Sequence, residues 1–380
     1  MDFQLSPEHV LLKEMCASFA ENELKPIARE IDEEERFPVE TVEKLGRYGF
    51  MGMAFPKEYG GQGVDNLAYV ISIEELAKKC LSTTTIYSAH CSLCANPINQ
   101  FGTEAQKQKY LPKLLSGEWL GAFGFTEPNA GTDSAGQQTV AVLDGDDYVI
   151  NGSKIFITNS AHADVFIVIA VTDKTQKPSR ACSAFIVERT TPGFTVGKRE
   201  EKMGIRASDA CELIFENMRV PKENLLGKEG QGFKIAMQTL DTGRVGIAAQ
   251  ALGLAEGALE ETIKYVKERK QFGRPIAAFQ NTQFTLAELR TKIEAGQMLV
   301  YKVARMKDNK QNYSVNAAMA KLYCSQLASE VTTKCLQLFG GYGYIREYPL
   351  ERMMRDARIT EIYEGTSEVQ KMVISGSMLK

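Results

Sequence analysis

The segment DVFIVIAV, residues 164–171, decides the fold predicted for the middle of this 380-residue chain. After its first residue it holds only aliphatic and aromatic side chains, most of them β-branched. Runs of the same kind flank it, namely YVINGSKIFIT at 148–158, ACSAFIVE at 181–188 and ACELIFENMRV at 210–220. Short runs of this composition between turn signals, with no helical pattern separating them, predict a compact antiparallel β barrel or sandwich. The parallel strand–helix–strand repeat of a Rossmann domain is absent.

Helical patterns extend outward from this β region in both directions. Ser6 and Pro7 match a helix N-cap followed by a proline at the first helical position. On the other side, apolar residues spaced by three and four run from Val245 to Val266, and a later stripe stops at Gly340. The predicted fold is therefore α+β, with an N-terminal helical domain at 1–120, a middle β domain at 121–230 and a C-terminal four-helix bundle at 231–380.

Composition argues against two classes of partner. The formal net charge is −3 and the pI is about 5.9, whereas nucleic acids and anionic membranes select clustered cationic residues. The longest purely apolar run, Val165–Val171, is far shorter than the ~20 residues that cross a bilayer. The first residues carry no cationic stretch before an apolar one, so we expect no targeting peptide. We expect a cytoplasmic protein, or one of the mitochondrial matrix if the chain is a processed eukaryotic one.

Cysteine and histidine positions do not predict a metal site. The eight cysteines are scattered through apolar or helical patterns, and the single CxxC pair, Cys91 and Cys94, has no second pair to complete a tetrahedral zinc site. We interpret these two residues as buried thiols and expect no metal. His90, beside them, is interpreted as a core histidine that bonds a backbone carbonyl, with a substrate contact as the alternative.

Two polar segments are candidates for chemistry. The loop FTEPNAGTD at 125–133 is rich in hydroxyls and small residues, and by itself it reads as a polar turn. Neither GxGxxG nor a Walker A motif occurs, so nucleotide binding cannot be argued from glycine-rich loops. In RITEIYEGTSEVQ at 358–370, Glu364 stands among Ile362, Tyr363 and Gly365. Burial of its carboxyl in an apolar wall would raise its pKa and suit it to general-base catalysis.

Six segments together resemble the acyl-CoA dehydrogenase family, in family order and spacing. They are FTEPNAGTD (125–133), NGSKIFITN (151–159), LDTGRVGIAAQALG (240–253), ERKQFGRPI (268–276), QLFGGYGY (337–344) and RDARITEIYEGTSEVQ (355–370). The resemblance runs from residue 3 to the C-terminus and is strongest to short-chain, butyryl-CoA type members. It implies a fold of helical domain, β domain and C-terminal bundle, as the periodicity also predicts.

The resemblance implies an FAD-dependent enzyme that converts a short-chain acyl-CoA into a trans-2-enoyl-CoA. Glu364 would remove the α-proton while the β-hydride passes to flavin N5, and electron-transfer flavoprotein would receive the electrons. The assembly implied is a homotetramer, a dimer of dimers. The alternatives are the same enzyme acting as an enoyl-CoA reductase, a flavin oxidase that uses oxygen, and a silent helical adaptor; retention of Glu364, Thr126 and Arg269 disfavours the adaptor.

The resemblance also implies an FAD site built from two subunits, in which the adenine and pyrophosphate contacts come partly from the neighbouring subunit. Phe156 stands where the family often has Trp, and Phe125 is bulkier than the aliphatic residue usual at its position. Without the resemblance, Arg269 would be interpreted as a surface ion-pair partner of Glu268 or Glu261. The implied FAD contacts are Phe123, Phe125, Thr126, Phe156, Thr158, Arg269, Phe272, Gln280, Gln337, Leu338, Gly340, Gly341, Thr366, Ser367 and Glu368.

For the substrate, the resemblance implies contacts at Thr132, Asp241, Arg244 and Gly365. Some relatives carry the catalytic acid on the helix instead, at the position of Gly243, so Glu364 is the base expected here. The segment 81–93 would form the floor of the acyl pocket, and it contains no Arg or Lys to pair with a second carboxylate. Tyr87 in this segment is expected to limit the acyl chain to short lengths.

Overall fold

The computed structural model describes residues 4–379. Its N-terminal region is helical, and Ser6 caps the first helix as predicted, accepting a hydrogen bond from the backbone N–H of His9 at 3.3 Å. Short π-helical segments at Ala20–Leu24 and His90–Ala95 continue two of the helices. The helices are α1 (Pro7–Phe19), α2 (Ala28–Glu33), α3 (Val39–Arg47), α4 (Asn66–Ala77), α5 (Leu81–Ala89), α6 (Asn96–Phe101) and α7 (Glu104–Ser116).

The middle region forms one eight-stranded sheet with a short helix, α8 (Pro178–Ala181). The strand order is β6-β7-β3-β2-β4-β5-β8, and β1 pairs with β4 outside this path. Most pairs are antiparallel, as predicted, but β1 and β2 run parallel to β4. The strands are β1 (Gly121–Gly124), β2 (Val140–Asp144), β3 (Asp147–Thr158), β4 (Val165–Val171), β5 (Cys182–Glu188), β6 (Phe194–Arg199), β7 (Ala210–Pro221) and β8 (Leu225–Leu226).

Strand β4 is buried along its whole length, which explains its unbroken apolar sequence. Phe166 and Val168 point into a core enclosed by the β domain. Val165 and Ile167, on the opposite face, join the larger core that the helices share. Because successive side chains of a strand alternate between faces, a strand buried on both faces has no polar position. The β domain is therefore packed directly against the helical regions, and clefts form along that contact.

The C-terminal region is built on three long helices, α9 (Gly232–Glu268), α10 (Gln280–Asp308) and α11 (Ser314–Phe339). A short antiparallel hairpin follows α9, and its strands are β9 (Lys270–Gln271) and β10 (Arg274–Pro275). Two shorter helices, α12 (Leu350–Ile359) and α13 (Ser367–Met378), pack against α11. The apolar stripe predicted from Val245 to Val266 lies on the buried side of α9. This arrangement confirms the predicted order of helical, β and helical regions.

Within residues 4–379, no helix combines the length and apolar composition that a membrane-spanning segment needs. We predicted no targeting segment at the start of the chain. Part of that prediction falls on residues 1–3, which lie outside the described range.

Candidate active site

A cleft of about 420 Å³ lies where α9, the β domain and the segment between α12 and α13 meet. It brings together ten of the residues expected to contact cofactor or substrate, from segments far apart in the sequence. These are Phe123, Phe125, Thr126, Thr132, Phe156, Thr158, Arg244, Glu364, Gly365 and Thr366.

A buried ion pair shapes the FTEPNAGTD loop on one wall of the cleft. The ammonium group of Lys154 lies 2.7 Å from Glu127 Oε1 and donates to the Phe125 carbonyl at 3.3 Å. The Glu127 carboxylate also accepts backbone N–H groups from Gln138 and Thr139, at 2.6 and 3.0 Å. These bonds tie the loop to β3, so Thr126 is held at the cleft. Sequence reasoning missed this pair, because Glu127 and Lys154 stand in motifs that contain several other polar residues.

Phe156 is turned toward the cleft by an irregularity in β3. The pairing of β3 with β7 shifts register between Lys154 and Ile157, and Phe156 has a positive φ of 60°. Such a conformation is costly for a residue with a Cβ and is retained only where the surrounding structure holds it. The Phe156 ring is 61% exposed at this edge, whereas Phe123 and Phe125 lie on the buried side with ring centroids 5.7 Å apart. The cleft therefore has aromatic walls that suit a flat ring system.

Glu364 lies in a tight turn between α12 and α13. Glu364 and Gly365 both have positive φ, 52° and 98°, which reverses the chain sharply. The Gly365 carbonyl accepts hydrogen bonds from Lys321 Nζ at 2.8 Å and Gln370 Nε2 at 2.7 Å. Among residues 4–379 the backbone N–H of Glu364 has no acceptor. The turn thus presents an open N–H donor beside the carboxylate.

Glu364 is partly buried, its Oε2 is enclosed, and its carboxylate makes no hydrogen bond to any residue the structure describes. Burial raises its pKa to about 7, and the nearby charges of Lys321 and Arg244 partly oppose the rise. The carboxylate rests against the backbone of α9: a Cβ added to Gly243 would lie 1.8 Å from Glu364 Oε2. Glycine at position 243 is therefore what leaves room for the acid from the neighbouring turn.

Of the two charged residues expected near the substrate on α9, only Arg244 lines the cleft. Arg244 is buried, and its Nη1 donates to Asp241 Oδ1 at 2.7 Å. Its Nε is buried without an acceptor among the described residues. Asp241 accepts this hydrogen bond and does not itself line the cleft, so its contact with the substrate stays a prediction.

The expectation for Tyr87 is wrong in its placement. Tyr87 is fully buried, its hydroxyl lies 3.0 Å from Ser72 Oγ, and it does not line the cleft. Residues of the same segment that do line the cleft are Thr85, Ala89 and Leu93, four apart on one helical face. Since Tyr87 is two positions from Thr85, it points to a different side of the helix. It packs edge-on against Phe50 and Tyr69 instead.

A polar cluster of Thr85, Gln250 and Tyr363 forms part of the cleft wall. The Tyr363 hydroxyl donates to Gln250 Oε1 at 2.7 Å, and Thr85 Oγ1 donates to the same oxygen at 3.3 Å. All three residues line the cleft. Gln250, on α9, carried no sequence signal, because it interrupts an apolar stripe in the way that many solvated glutamines do.

A second cavity, of about 550 Å³, gathers another part of the expected cofactor set. It is lined by Arg269, Gln337, Leu338, Gly340 and Gly341. The Arg269 guanidinium lies over the Tyr342 ring, 5.1 Å from its centroid, and forms no ion pair with Glu268 or Glu261.

Four expected cofactor residues line neither cavity. Phe272 is 94% exposed, and Gln280 is the exposed first residue of α10. Ser367 and Glu368 are the first two residues of α13, and Thr366 is its N-cap. In this chain they therefore form the start of a helix.

The histidine and thiols beside the cleft are structural. His90 is buried, with Nε2 3.0 Å from the Leu114 carbonyl, and its Nδ1 accepts the Gly121 N–H at 3.0 Å. Burial lowers the pKa of His90 to about 4. This confirms the interpretation of His90 as a core histidine. Cys91 and Cys94 are buried free thiols, also as predicted.

A helical domain, a β domain and a helical bundle around one aromatic-walled cleft form the architecture of acyl-CoA dehydrogenases. The sequence profiles for the acyl-CoA dehydrogenase N-terminal, middle and C-terminal domains match residues 6–118, 122–218 and 230–379. The chain belongs to the acyl-CoA dehydrogenase family.

Two relatives are similar along the whole chain. The short-chain specific acyl-CoA dehydrogenase of Clostridium acetobutylicum is 60% identical over 380 residues, covering 100% of both chains. The acryloyl-CoA reductase (NADH) of Anaerotignum propionicum is 49% identical, covering 100% of this chain and 96% of its own.

Solved structures agree with this assignment. Butyryl-CoA dehydrogenase from Megasphaera elsdenii is 51% identical, with a TM-score of 0.98 and full coverage of both chains. A chain that is 54% identical, with a TM-score of 0.99 and full coverage of both chains, comes from a structure described as an electron transferring flavoprotein of Acidaminococcus fermentans. A glutaryl-CoA dehydrogenase from Mycobacterium smegmatis in complex with FADH2 is 32% identical, with a TM-score of 0.93, covering 98% of this chain and 95% of its own.

Proposed function

We propose that this protein is an FAD-dependent dehydrogenase of short-chain acyl-CoA thioesters and that Glu364 removes the α-proton. The observation that carries the proposal is the Glu364 carboxylate, which lines the cleft, has its Oε2 enclosed and is free of hydrogen bonds to the described residues. A structural glutamate in such a position would be paired, because an unpaired buried carboxylate is costly. A general base must keep its lone pairs available, and a pKa of about 7 suits that work near neutral pH.

The turn that holds Glu364 supports the same step. An α-C–H bond of a thioester is a very weak acid, so the carbonyl must be polarised as the proton leaves. In this proposal the N–H of Glu364, which has no acceptor among the described residues, would donate to that carbonyl oxygen. A donor of this kind typically contributes about 3–4 kcal/mol to the transition state. Base and donor come from one residue, so their relative geometry is set by the turn itself.

The cleft walls fit FAD as the cofactor. Phe156 offers a ring face, Thr126 and Thr158 offer hydroxyls for a polar ring edge, and Phe123 and Phe125 close the buried side. When bound, FAD supplies the acceptor for the β-hydride. The role of the chain is to position the acyl group between this wall and Glu364.

The second cavity supports a proposal about assembly. Arg269 is a cation without a carboxylate partner among the described residues, beside the glycines Gly340 and Gly341, a combination that suits a phosphate group. We place the adenosine diphosphate end of FAD at such a cavity on a neighbouring subunit, in a homotetramer. Electron-transfer flavoprotein is the proposed electron acceptor, supported by the likeness to the Acidaminococcus fermentans structure.

The reverse reaction is a second candidate, favoured by the likeness to acryloyl-CoA reductase. The same base, acting in its protonated form, would return the α-proton to an enoyl-CoA. The rate of butyryl-CoA oxidation with oxidised electron-transfer flavoprotein is compared with the rate of crotonyl-CoA reduction with the reduced flavoprotein. The faster of the two reactions indicates the physiological direction.

The test of the base is Glu364→Gln. The amide is close in size and leaves the backbone N–H in place, so acyl-CoA binding should persist. We expect anaerobic flavin reduction by butyryl-CoA to slow by at least about 10²–10⁴-fold, the usual contribution of a general base. In the wild type the reduction rate should rise with pH through about 7 as Glu364 loses its proton. A Glu364→Gln rate within a few-fold of wild type would contradict the assignment.

A further inference from the structure

Lys321, in the middle of α11, occupies a position that packing alone does not explain. Its side chain is fully buried, and its one hydrogen bond among residues 4–379 goes to the Gly365 carbonyl, at 2.8 Å. It forms no ion pair within that range. A buried ammonium without a paired carboxylate typically costs several kcal/mol. A leucine or methionine would fill the same space without that cost.

The Gly365 carbonyl does not need Lys321 in order to be satisfied. Gln370 Nε2 already donates to the same oxygen at 2.7 Å. The contribution that is specific to Lys321 is therefore its positive charge, placed against the peptide that directly follows Glu364.

Among the charged groups around Lys321, Glu364 is the one acid without another partner. Glu361 accepts from Ser329 and Arg358, and Glu368 lies on the surface near Lys371. On α9, Arg244 is engaged by Asp241. The ionisable groups that face Glu364 or Lys321 are thus Arg244 and Asp241 from α9, Tyr69 from α4, Tyr363 and Glu361 from the turn, and Glu368 from α13.

We propose that Lys321 is a positioning residue for Glu364, which holds the Gly365 peptide and, through its charge, keeps the neighbouring carboxylate ionised near neutral pH. This inference rests on the proposed role of Glu364 as the base. Burial disfavours the ionised form of each group, and an opposite charge nearby favours it. Burial lowers the pKa of Lys321 to about 8, and it raises that of Glu364 to about 7. Between these values both groups are charged, so the pair defines a pH window for the base.

Replacement of Lys321 by Met, with Gln370→Met as the matched control, separates charge from hydrogen bonding. Each variant removes one donor to the Gly365 carbonyl, but only Lys321→Met removes a charge. Flavin reduction by butyryl-CoA is followed by anaerobic stopped flow across the neutral pH range. For Lys321→Met we expect the rising limb of the rate profile to move upward by about one pH unit or more. For Gln370→Met we expect the limb to stay where it is in the wild type.

Thermal unfolding and FAD content distinguish positioning from a structural role. A methionine at position 321 removes the desolvation cost of the ammonium, and Glu364 can take up a proton instead of remaining an unpaired charge. Lys321→Met should therefore keep its FAD and unfold no earlier than the wild type, while losing rate at neutral pH. Lys321→Gln, which keeps a donor but no charge, should show the same upward shift and serves if the Met variant does not fold.

An unmoved pH limb in either folded Lys321 variant overturns the proposal, as does an equal shift in Gln370→Met. Failure of the proposed function looks different. In that case wild-type protein would not reduce its flavin with any short-chain acyl-CoA, or Glu364→Gln would reduce it at an undiminished rate.

Discussion

At position 243, one methyl group would decide whether Glu364 keeps its place. A Cβ there would lie 1.8 Å from Glu364 Oε2 and 2.7 Å from its Cδ, so the side chain of Glu364 has to move. The clash is with the end of a flexible side chain, which means that the fold should survive Gly243→Ala. A misplacement of about 1 Å at a reacting group can cost about 10²-fold in rate. We expect a loss of that order in flavin reduction, with FAD content and thermal stability close to wild type.

Gly246→Ala is the matched control for this substitution. It lies three residues further along α9, and its added Cβ would meet the Ser88 hydroxyl at 2.6 Å, again the end of a small side chain. It tests helix packing without touching Glu364. Equal rate losses in both alanine variants would show that α9 packing, rather than displacement of the base, causes the effect.

At the scale of elements, periodicity predicted the helices and strands well and the directions of side chains less well. The apolar segment 165–171 was predicted as a strand, and in the structure it is a strand that is buried along its whole length. For the segment 81–93, a four-residue spacing joins Thr85, Ala89 and Leu93, yet nothing in the sequence says that this face meets the cleft. That choice depends on how α5 packs against α9 and the β domain. Tyr87 was chosen for its size, and its direction could not be predicted.

The bulge in β3 was equally hidden from the sequence. KIFIT has the β-branched and aromatic composition of an ordinary strand, and the turn of Phe156 toward the cleft follows from a register shift against β7. The family resemblance identified Phe156 as a site residue, whereas its orientation is determined by the pairing of β3 with β7. Glu364, the candidate base, could by contrast be identified from the local sequence, because an acid stands there among apolar residues in a predicted turn.

Gln250, rather than Tyr87, should set the acyl chain length. Its side chain lines the cleft with Thr85 and Tyr363, and we expect the acyl chain to end against this cluster, so Gln250→Ala should open space there. Each additional buried CH2 contributes about 0.8 kcal/mol. Two more methylenes should then favour hexanoyl-CoA over butyryl-CoA by roughly tenfold relative to the wild type. The measurement is the ratio of kcat/KM for the two substrates.

Tyr87→Phe provides the comparison, since it removes a hydroxyl from the same region without opening the cleft. The lost hydrogen bond to Ser72 should lower the free energy of unfolding by about 1 kcal/mol. The chain-length ratio should not change. If Tyr87→Phe alters that ratio and Gln250→Ala does not, the polar cluster is not the end of the acyl site.

At the scale of the whole molecule, the expected cofactor residues divide into two sets. One lines the cleft beside Glu364, and the other lines the cavity at Arg269, while Phe272 and Gln280 lie on the surface. The residue patterns alone do not predict this division; the family resemblance does, because it implies that the contacts at Arg269, Phe272, Gln280 and 337–341 come partly from a neighbouring subunit. The two-subunit site that we propose would explain why these residues lie away from the cleft.

Arg269→Ala tests this arrangement. Hydrogen bonds to a charged group contribute about 1.5–3 kcal/mol, so loss of the guanidinium should weaken FAD binding by roughly 10–100-fold. The measurement is reconstitution of apoprotein with FAD, together with the oligomeric state by analytical ultracentrifugation. Lys270→Ala is the control, because Lys270 is an adjacent exposed cation that does not line the cavity. At saturating FAD, the rate of flavin reduction in Arg269→Ala should be near that of the wild type, since Arg269 does not line the cleft that holds Glu364. Wild-type FAD affinity in Arg269→Ala, or an equal loss in Lys270→Ala, would show that the cavity at Arg269 does not hold a phosphate of FAD.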